Sequence, residues 1–166
     1  MKYLKLLTII PLIFALSNSI SVAEEPLTLS VKRLKMETAL RIAQAAIAQC
    51  RKEGVQIAVT VVDRSGHAQV MLRDVLAMDI TLPISKQKAY TAMAFNSDLS
   101  QIEDRFTKPF QVAKLDGLII SAGGIPINIG GAILGGIGVS GAPSGVTDEK
   151  CAKAGLAAVS EDLEME

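Results

Sequence analysis

The sequence predicts an α+β domain in which a five-stranded antiparallel sheet is covered by helices. Three patterns lead to this fold class: apolar residues at helical spacing near residue 40, β-branched runs bounded by turns, and short apolar segments joined by glycine pairs after residue 115. The connections between successive strands are short. Short connections favour antiparallel pairing, because parallel strands need long crossovers.

A first helix is predicted from about residue 35 to residue 52. Its apolar residues step by four, three, four and three positions, as one face of an α-helix does. Gly54 then provides the left-handed residue that commonly ends a helix. The apolar stripe consists of Met36, Leu40, Ala43, Ile47 and Cys50.

Two strands and a second helix follow. Residues 56–62 form a β-branched run, and residues 68–73 alternate as a second strand. Residues 63–66 between them have the composition of a turn, so the pair predicts a hairpin. A second helix is predicted over 81–96, and 97–110 has the pattern of a short helix or turn region.

The last third of the chain is rich in glycine. It predicts three more strands, over 117–121, 125–128 and 132–140, joined by the glycine pairs at 123–124 and 130–131. A final helix is predicted over 146–163, with acidic residues in its first turn, where they favour the helix dipole.

The first 23 residues have the pattern of a cleavable secretory signal peptide. Lys2 and Lys5 form a positive n-region, residues 6–16 are almost wholly apolar, and residues 21–23 supply the small side chains of a cleavage site. The apolar run is well short of the roughly 20 residues that span a bilayer as a helix. We therefore expect cleavage after Ala23, one mature domain over 24–166, no membrane span after cleavage, and a periplasmic or secreted location.

The charge balance gives no indication of a nucleic-acid partner, which would call for a basic patch. The chain has 17 basic and 17 acidic residues, and loss of two lysines with the signal peptide leaves 15 against 17, a net charge of −2. The single histidine leaves little material for a conventional zinc site or a Ser-His-Asp site.

Cys50 and Cys151 are the only two cysteines. An even count in an exported protein favours a disulfide. The bridge forms if the first and last helices pack antiparallel on one face of the sheet, since the end of one then lies beside the start of the other. The alternative is two small buried thiols on different faces.

Two glycine motifs are interpreted as structural. Residues 136–141 match the GxGxxG pattern, but only 25 residues follow, too few for a dinucleotide-binding fold. We expect instead a strand and bend where two backbones approach closely. Residues 138–142 nearly match a GxSxG nucleophile elbow, but Ala142 replaces the final glycine and His67 precedes the serine, so a hydrolase is not expected.

The second predicted helix carries a candidate binding ridge. Ile84, Lys88, Thr91 and Phe95 recur at i, i+4, i+7 and i+11, which places them along one side of the helix. One interpretation is a pocket wall on which Lys88 neutralises a ligand carboxylate and Thr91 donates a hydrogen bond. The alternative is that Lys88 extends from the edge of an ordinary packed face.

Three further residues are candidates for the same site. Arg73 and Lys86 could add positive charge for an acidic, mostly apolar ligand. His67 closes the first hairpin turn and is a candidate iron ligand, because imidazole is a common ligand of transition metals. A solvated turn residue is the alternative interpretation of this histidine.

Four ordered segments together resemble the GlcG/HbpS-like haem-binding family. The hairpin at 59–67 resembles the family's VAVVDxxG pattern, and residues 88–92 are similar to its KAxTA helix segment. Residues 121–127 resemble its GGxPI strand, and residues 136–142 resemble its GIGVSG strand. The acidic pair at 148–149 and the Ala-Gly-Leu that follows complete the closing pattern. The resemblance covers nearly all of the chain between residues 36 and 160.

This resemblance implies a three-layer, profilin-like domain that assembles into homo-oligomers. It also implies haem as a ligand, since exported members of the family are associated with haem binding and some with sensing or iron handling. The chain departs from the family over 73–77, where Arg-Asp-Val-Leu-Ala stands in place of an RMDGA-like segment.

We therefore expect an exported haem-binding protein, a binding protein rather than an enzyme, that acts in haem sequestration, sensing or delivery. Two alternatives remain open at this point. One is an enzyme of haem degradation or of small hydroxy-acid metabolism, in which a cofactor supplies the chemistry. The other is an oligomeric scaffold that binds no small ligand.

Overall fold

A computed structural model describes residues 25–106 and 115–166. The chain divides into two compact units, residues 1–30 and 31–166. Residues 25–30, the described part of the first unit, are exposed and form neither helix nor strand. The predicted signal peptide lies outside the described residues. The helices and strands of the second unit are α1 (Met36–Lys52), β1 (Ala58–Asp63), β2 (Ala68–Arg73), α2 (Thr81–Phe95), β3 (Gly124–Ile129), β4 (Ala132–Ser140), α3 (Gly145–Ala157) and α4 (Ser160–Glu164).

The sheet has four strands in the order β2-β1-β4-β3, and every neighbouring pair is antiparallel. The prediction of an α+β domain with an antiparallel sheet flanked by helices is confirmed, but the prediction of five strands is wrong. Residues 117–121 are not a strand. The Ile119 N–H donates to the Thr91 hydroxyl on α2 at 3.1 Å, and Ile120 packs beside Leu99. Their apolar character therefore reflects packing against a helix and turn rather than strand pairing.

The domain has three layers. Helices α1 and α3 pack together on one face of the sheet, and α2 packs on the other. The larger core lies between the sheet and the α1–α3 layer, where Ile42 of α1 meets Val59 of β1 and Ile137 of β4. Among the helices of the described ranges, none has the length and apolar character needed to cross a bilayer.

The glycines of β4 allow α2 to lie directly on the sheet. Side chains alternate along β4, so that Gly136 and Gly138 face α2 while Ile137 faces the opposite layer. A Cβ atom at Gly136 would clash with the Ala89 carbonyl, and one at Gly138 would clash with the Ser85 carbonyl. The GxGxxG match is therefore a packing feature, as the close-approach interpretation predicts.

Helices α1 and α3 run antiparallel. Lys150 Nζ of α3 lies 2.7 Å from Glu53 Oε1, just after the end of α1, and Arg41 near the start of α1 donates to the Ala158 carbonyl, just after the end of α3, at 3.4 Å. The structure joins Cys50 and Cys151 as a disulfide between these helices, with Cα atoms 5.5 Å apart and both side chains buried. The bridge therefore connects the last turn of α1 to the first half of α3.

The last predicted helix is interrupted. The structure ends α3 at Ala157 and begins α4 at Ser160, whereas the sequence predicts one helix over 146–163. The break allows Val159 to turn inward, where it is buried in the larger core. Ser144 caps the start of α3 by accepting a hydrogen bond from the Thr147 N–H.

Candidate functional site

Lys88 is buried in an ion pair rather than exposed to a ligand. Its ammonium lies 3.1 Å from Asp148 Oδ2, and both side chains are almost fully buried. Asp148 also accepts a hydrogen bond from the Ala142 N–H at 3.0 Å. Burial raises the pKa of the Asp148 carboxyl, and the attraction of Lys88 and the hydrogen bonds from Ala142 and Gly141 do not cancel that effect.

A glycine makes room for this pair. A Cβ atom on Gly123 would lie 2.7 Å from Lys88 Nζ and 2.8 Å from the Asp148 Cβ. Gly123 also accepts a hydrogen bond from the Val139 N–H at 2.8 Å. The ion pair therefore sits against bare backbone at the start of β3, and the glycine pair at 123–124 has a packing role here.

The Glu149 carboxylate forms hydrogen bonds that connect α3 to neighbouring segments. It accepts hydrogen bonds from the Ser100 hydroxyl at 2.7 Å and the Ser100 N–H at 3.1 Å, and from Lys153 at 2.9 Å. Burial favours a raised pKa for Glu149, but the hydrogen bonds from Lys153, Ser100 and Gly123 together lower it below its usual value. Asp148 and Glu149 thus fasten α3 to the segments beside the sheet.

The Thr91 hydroxyl also forms hydrogen bonds within the protein. It donates to the Gln87 carbonyl at 2.7 Å and accepts from the Ile119 N–H at 3.1 Å. At the end of the same ridge, Phe95 packs against Phe106 with ring centroids 5.4 Å apart. Lys88 and Thr91 thus contact protein groups in this structure, because that side of α2 faces the sheet and the loop at 117–121.

Arg73 supports a loop and lies apart from Lys86. Its guanidinium donates to the carbonyls of Asp74 at 3.1 Å and of Ala77. It lines a shallow groove of about 350 Å³ beside α1, together with Asp74, which pairs with Arg51. The structure therefore does not bring Arg73 into one site with Lys86, as the sequence suggested. Arg73 instead stabilises the loop in which the chain departs from the family pattern.

Lys86 lies on a larger groove of about 480 Å³, which the sequence reasoning did not identify. The groove lies between the β1–β2 turn, one side of α2, and the segment that follows residue 114. The α2 residues at its wall recur at i, i+3, i+4 and i+7, a second helical face beside the ridge proposed from sequence. Its lining consists of Gly66, Pro83, Lys86, Gln87, Tyr90, Asp116 and Gly117.

Tyr90 forms the aromatic wall of this groove, and 39% of its surface is exposed. Gly66 packs against one edge of the ring with φ at +83°, and a Cβ atom there would lie 2.6 Å from the ring carbons. Only a residue without a side chain fits this position. The sequence contained a signal for Tyr90, because it lies within the KAYTA segment, but that segment drew attention to Lys88 and Thr91 instead.

His67 lies at the rim of the groove, next to Gly66 in the chain, but is not part of the lining. Its side chain is 84% exposed, and Nδ1 lies 3.8 Å from Asp63 Oδ1. Asp63 also accepts hydrogen bonds from the backbone N–H groups of His67 and Ser65, which closes the turn. Its environment is thus that of a solvated turn residue close to the groove.

The described residues form a three-layer α+β domain that carries an aromatic-walled surface groove. The sequence model of the family described as haem degrading protein HbpS-like matches residues 34–157. The chain belongs to this family.

Solved structures agree with this assignment. A double mutant of HbpS from Streptomyces reticuli is 36% identical in sequence, with a TM-score of 0.76 over 81% of this chain and 92% of that one. The Klebsiella pneumoniae protein ORFY is 22% identical, with a TM-score of 0.77 over 82% of this chain and 97% of that one. A complex of PduOC with haem is 23% identical, with a TM-score of 0.69 over 76% of this chain and 95% of that one. At these identities, the latter two show the fold alone.

Proposed function

We propose that this protein is an exported haem-binding protein and that haem binds in the groove walled by Tyr90. The observation that carries the proposal is the combination, in an HbpS-like domain, of a partly exposed aromatic ring, Tyr90, with Lys86 on the wall of the same groove, where Asp116 is the one acidic residue of the described lining. The volume of the groove, about 480 Å³, lies within the range of roughly 300–1,000 Å³ typical of small-molecule pockets.

The residues of the groove fit the chemistry of haem. Haem is flat and mostly apolar, with two carboxylates at one edge. Tyr90 contributes an aromatic side chain to the wall, and the absence of a side chain at Gly66 lets the hairpin turn pack against the edge of that ring. Lys86 is exposed on the same helical face and can pair with a carboxylate. Bound haem would supply an iron centre and a strong visible absorption that reports on its surroundings.

The comparisons support the same ligand. The family is described as haem degrading, and PduOC, which shares the fold, has been crystallised with haem. The signal-peptide pattern of residues 1–23 supports a periplasmic or secreted location. In that location, the domain would sequester haem, deliver it, or take part in sensing it.

A hemin titration of the mature chain tests this function. We expect a saturable Soret shift with at least micromolar affinity, about −8 kcal/mol. Lys86→Glu should weaken binding about tenfold or more, because a charge-assisted contact contributes about 1.5–3 kcal/mol and each 1.4 kcal/mol is a factor of about ten. Lys52→Glu, which alters an exposed lysine at the end of α1, is the matched control and should leave the affinity unchanged. Absence of any Soret shift in the parent protein would overturn the proposal.

The same sample tests the alternative of haem degradation, which the family description favours. Addition of a reductant to the complex should leave the Soret band stable if the protein only holds haem. Progressive loss of the band, faster than with free hemin, would assign a degrading activity instead.

We also propose that the chain forms homo-oligomers through the loop after β2. Four large apolar side chains lie exposed within six residues there: Val75 at 80%, Leu76 at 78%, Met78 at 68% and Ile80 at 57%. Large exposed apolar side chains grouped in one loop are typical of an interaction site when they form a continuous patch. A near-neutral surface charge adds no strong repulsion between copies.

A further inference from the structure

We propose that Tyr90 is the axial ligand of ferric haem in this groove, binding the iron through its phenolate oxygen. The inference rests on the proposed function and deepens it by naming the atom that holds the iron. When the O–Fe bond forms, the phenol O–H bond breaks and its proton passes to water, so that the tyrosine binds as an anion.

The donors around the groove leave Tyr90 as the suitable ligand among the described residues. Haem iron in proteins is commonly held by His, Cys, Met or Tyr side chains. The other polar lining residues are Lys86, Gln87 and Asp116. Lysine, amide and carboxylate side chains are not among the usual haem ligands.

The usual sulfur and imidazole ligands lie elsewhere in the described structure. Cys50 and Cys151 are joined in the disulfide between α1 and α3. His67 lies at the rim and outside the lining, with its imidazole turned toward Asp63. The nearest methionine, Met93, packs beneath the groove beside Gly66 and is mostly buried.

Tyr90 is held at its ring edge, and its side chain is partly exposed on the groove. Gly66 contacts the ring at its Cδ2–Cε2 edge, which fixes the side chain against the hairpin turn. Within the described residues, the phenol takes part in no side-chain hydrogen bond, in contrast to Thr91 beside it, which has two. A partly exposed tyrosine whose phenol has no side-chain partner among the described residues is suited to bind an external ligand.

The sequence also makes Tyr90 easy to observe. The chain has two tyrosines, Tyr3 and Tyr90, and no tryptophan. In a mature chain that begins at residue 24, Tyr90 is the only source of intrinsic tyrosine fluorescence. Its emission therefore reports binding in this groove directly.

Tyr90→Phe tests the inference, because it keeps the ring and removes only the hydroxyl. We expect the ferric complex of the mature parent protein to show a phenolate-to-iron charge-transfer band, with phenolate modes in resonance Raman spectra excited in that band. Tyr90→Phe should lose both signals, and its hemin affinity should fall about tenfold or more. His67→Ala is the matched control and should retain both signals.

The outcomes separate the two proposals. If Tyr90→Phe binds hemin with the parent's spectrum, or if His67→Ala abolishes the charge-transfer band, Tyr90 is not the ligand, although haem binding stands. If the parent shows neither a Soret shift nor quenching of Tyr90 fluorescence on addition of hemin, both the ligand assignment and the proposed function are overturned.

Discussion

Lys88 of α2 and Asp148 of α3 form a buried ion pair between helices on opposite faces of the sheet, with Nζ 3.1 Å from Oδ2. The ion pair lies against Gly123, the residue that precedes β3. A side chain at Gly123 would displace the ion pair. A buried pair of this kind gives little net stability as a whole, but loss of one partner leaves an uncompensated charge. It therefore constrains how the two outer layers are placed about the sheet.

The two single substitutions at this pair should differ in their pH dependence. Asp148→Asn leaves a buried ammonium without a counter-charge and should lower the free energy of unfolding by about 3–5 kcal/mol. Lys88→Met removes the attraction that lowers the Asp148 pKa, so that this already raised pKa rises further. A carboxyl whose pKa is higher in the folded state binds more protons there, so the unfolding free energy increases as pH falls through that pKa.

Urea denaturation from about pH 7 to about pH 5 checks this expectation. The deficit of Lys88→Met relative to the parent should shrink as the pH falls, while that of Asp148→Asn should not. Glu149, whose pKa is lowered, contributes stability that is lost as pH falls, but it does so in all three proteins and cancels in the comparison. Parallel pH profiles for Lys88→Met and the parent would contradict the prediction.

Gly66 and Gly131 provide a matched pair for the groove. Both have φ at +83°, so alanine at either position should cost about 1–2 kcal/mol in backbone strain. A Cβ atom at Gly66 also meets the Tyr90 ring, whereas one at Gly131 meets nothing within 4 Å. We expect Gly66→Ala to change Tyr90 fluorescence and weaken hemin binding, and Gly131→Ala to change neither. Equal hemin affinities for the two variants would show that the groove does not depend on this contact.

The disulfide should make a large contribution to stability. Cys50 and Cys151 are separated by 101 positions, and closing a loop of that length contributes up to about 4–5 kcal/mol in the chain-entropy model. The variant with alanine at both positions should unfold at a lower urea concentration than the oxidised parent. A reductant should lower the parent's midpoint and leave the variant's unchanged. Mass spectrometry of non-reduced peptides that finds two free thiols in the exported protein would exclude the bridge.

Self-association is expected to depend on the loop after β2. Light scattering on the mature protein should give a mass several times that of one chain. Leu76→Glu combined with Met78→Glu should reduce that mass, because both side chains are exposed and a charge there opposes burial in an interface. Met165→Glu, at an equally exposed position near the C-terminus, is the control and should assemble normally. A monomeric parent at micromolar concentration would reject the interface.

The amino-acid sequence by itself determined the elements whose pattern is local. The stripe from Met36 to Cys50 predicted α1 to within one residue, because helical periodicity depends only on spacing along the chain. The hairpin of β1 and β2 was likewise predictable from its turn residues. The four ordered motifs were sufficient to place the chain in its family, which the match over 34–157 confirms.

The tertiary structure decided which residues pack or pair inside the protein and which remain exposed to a ligand. Residues 117–121 have the composition of a strand, but their backbone bonds to Thr91, a residue 28 positions away from Ile119, and no local pattern encodes that partner. Lys88 and Tyr90 lie two positions apart on one helix, yet one is buried against Asp148 and the other lines the groove. A helix rotates by about 100° per residue, so which side of α2 meets the sheet depends on contacts from distant segments. The glycines of β4 and the ion pair at Gly123 supply those contacts, and they determine which side chains of α2 remain open to a ligand.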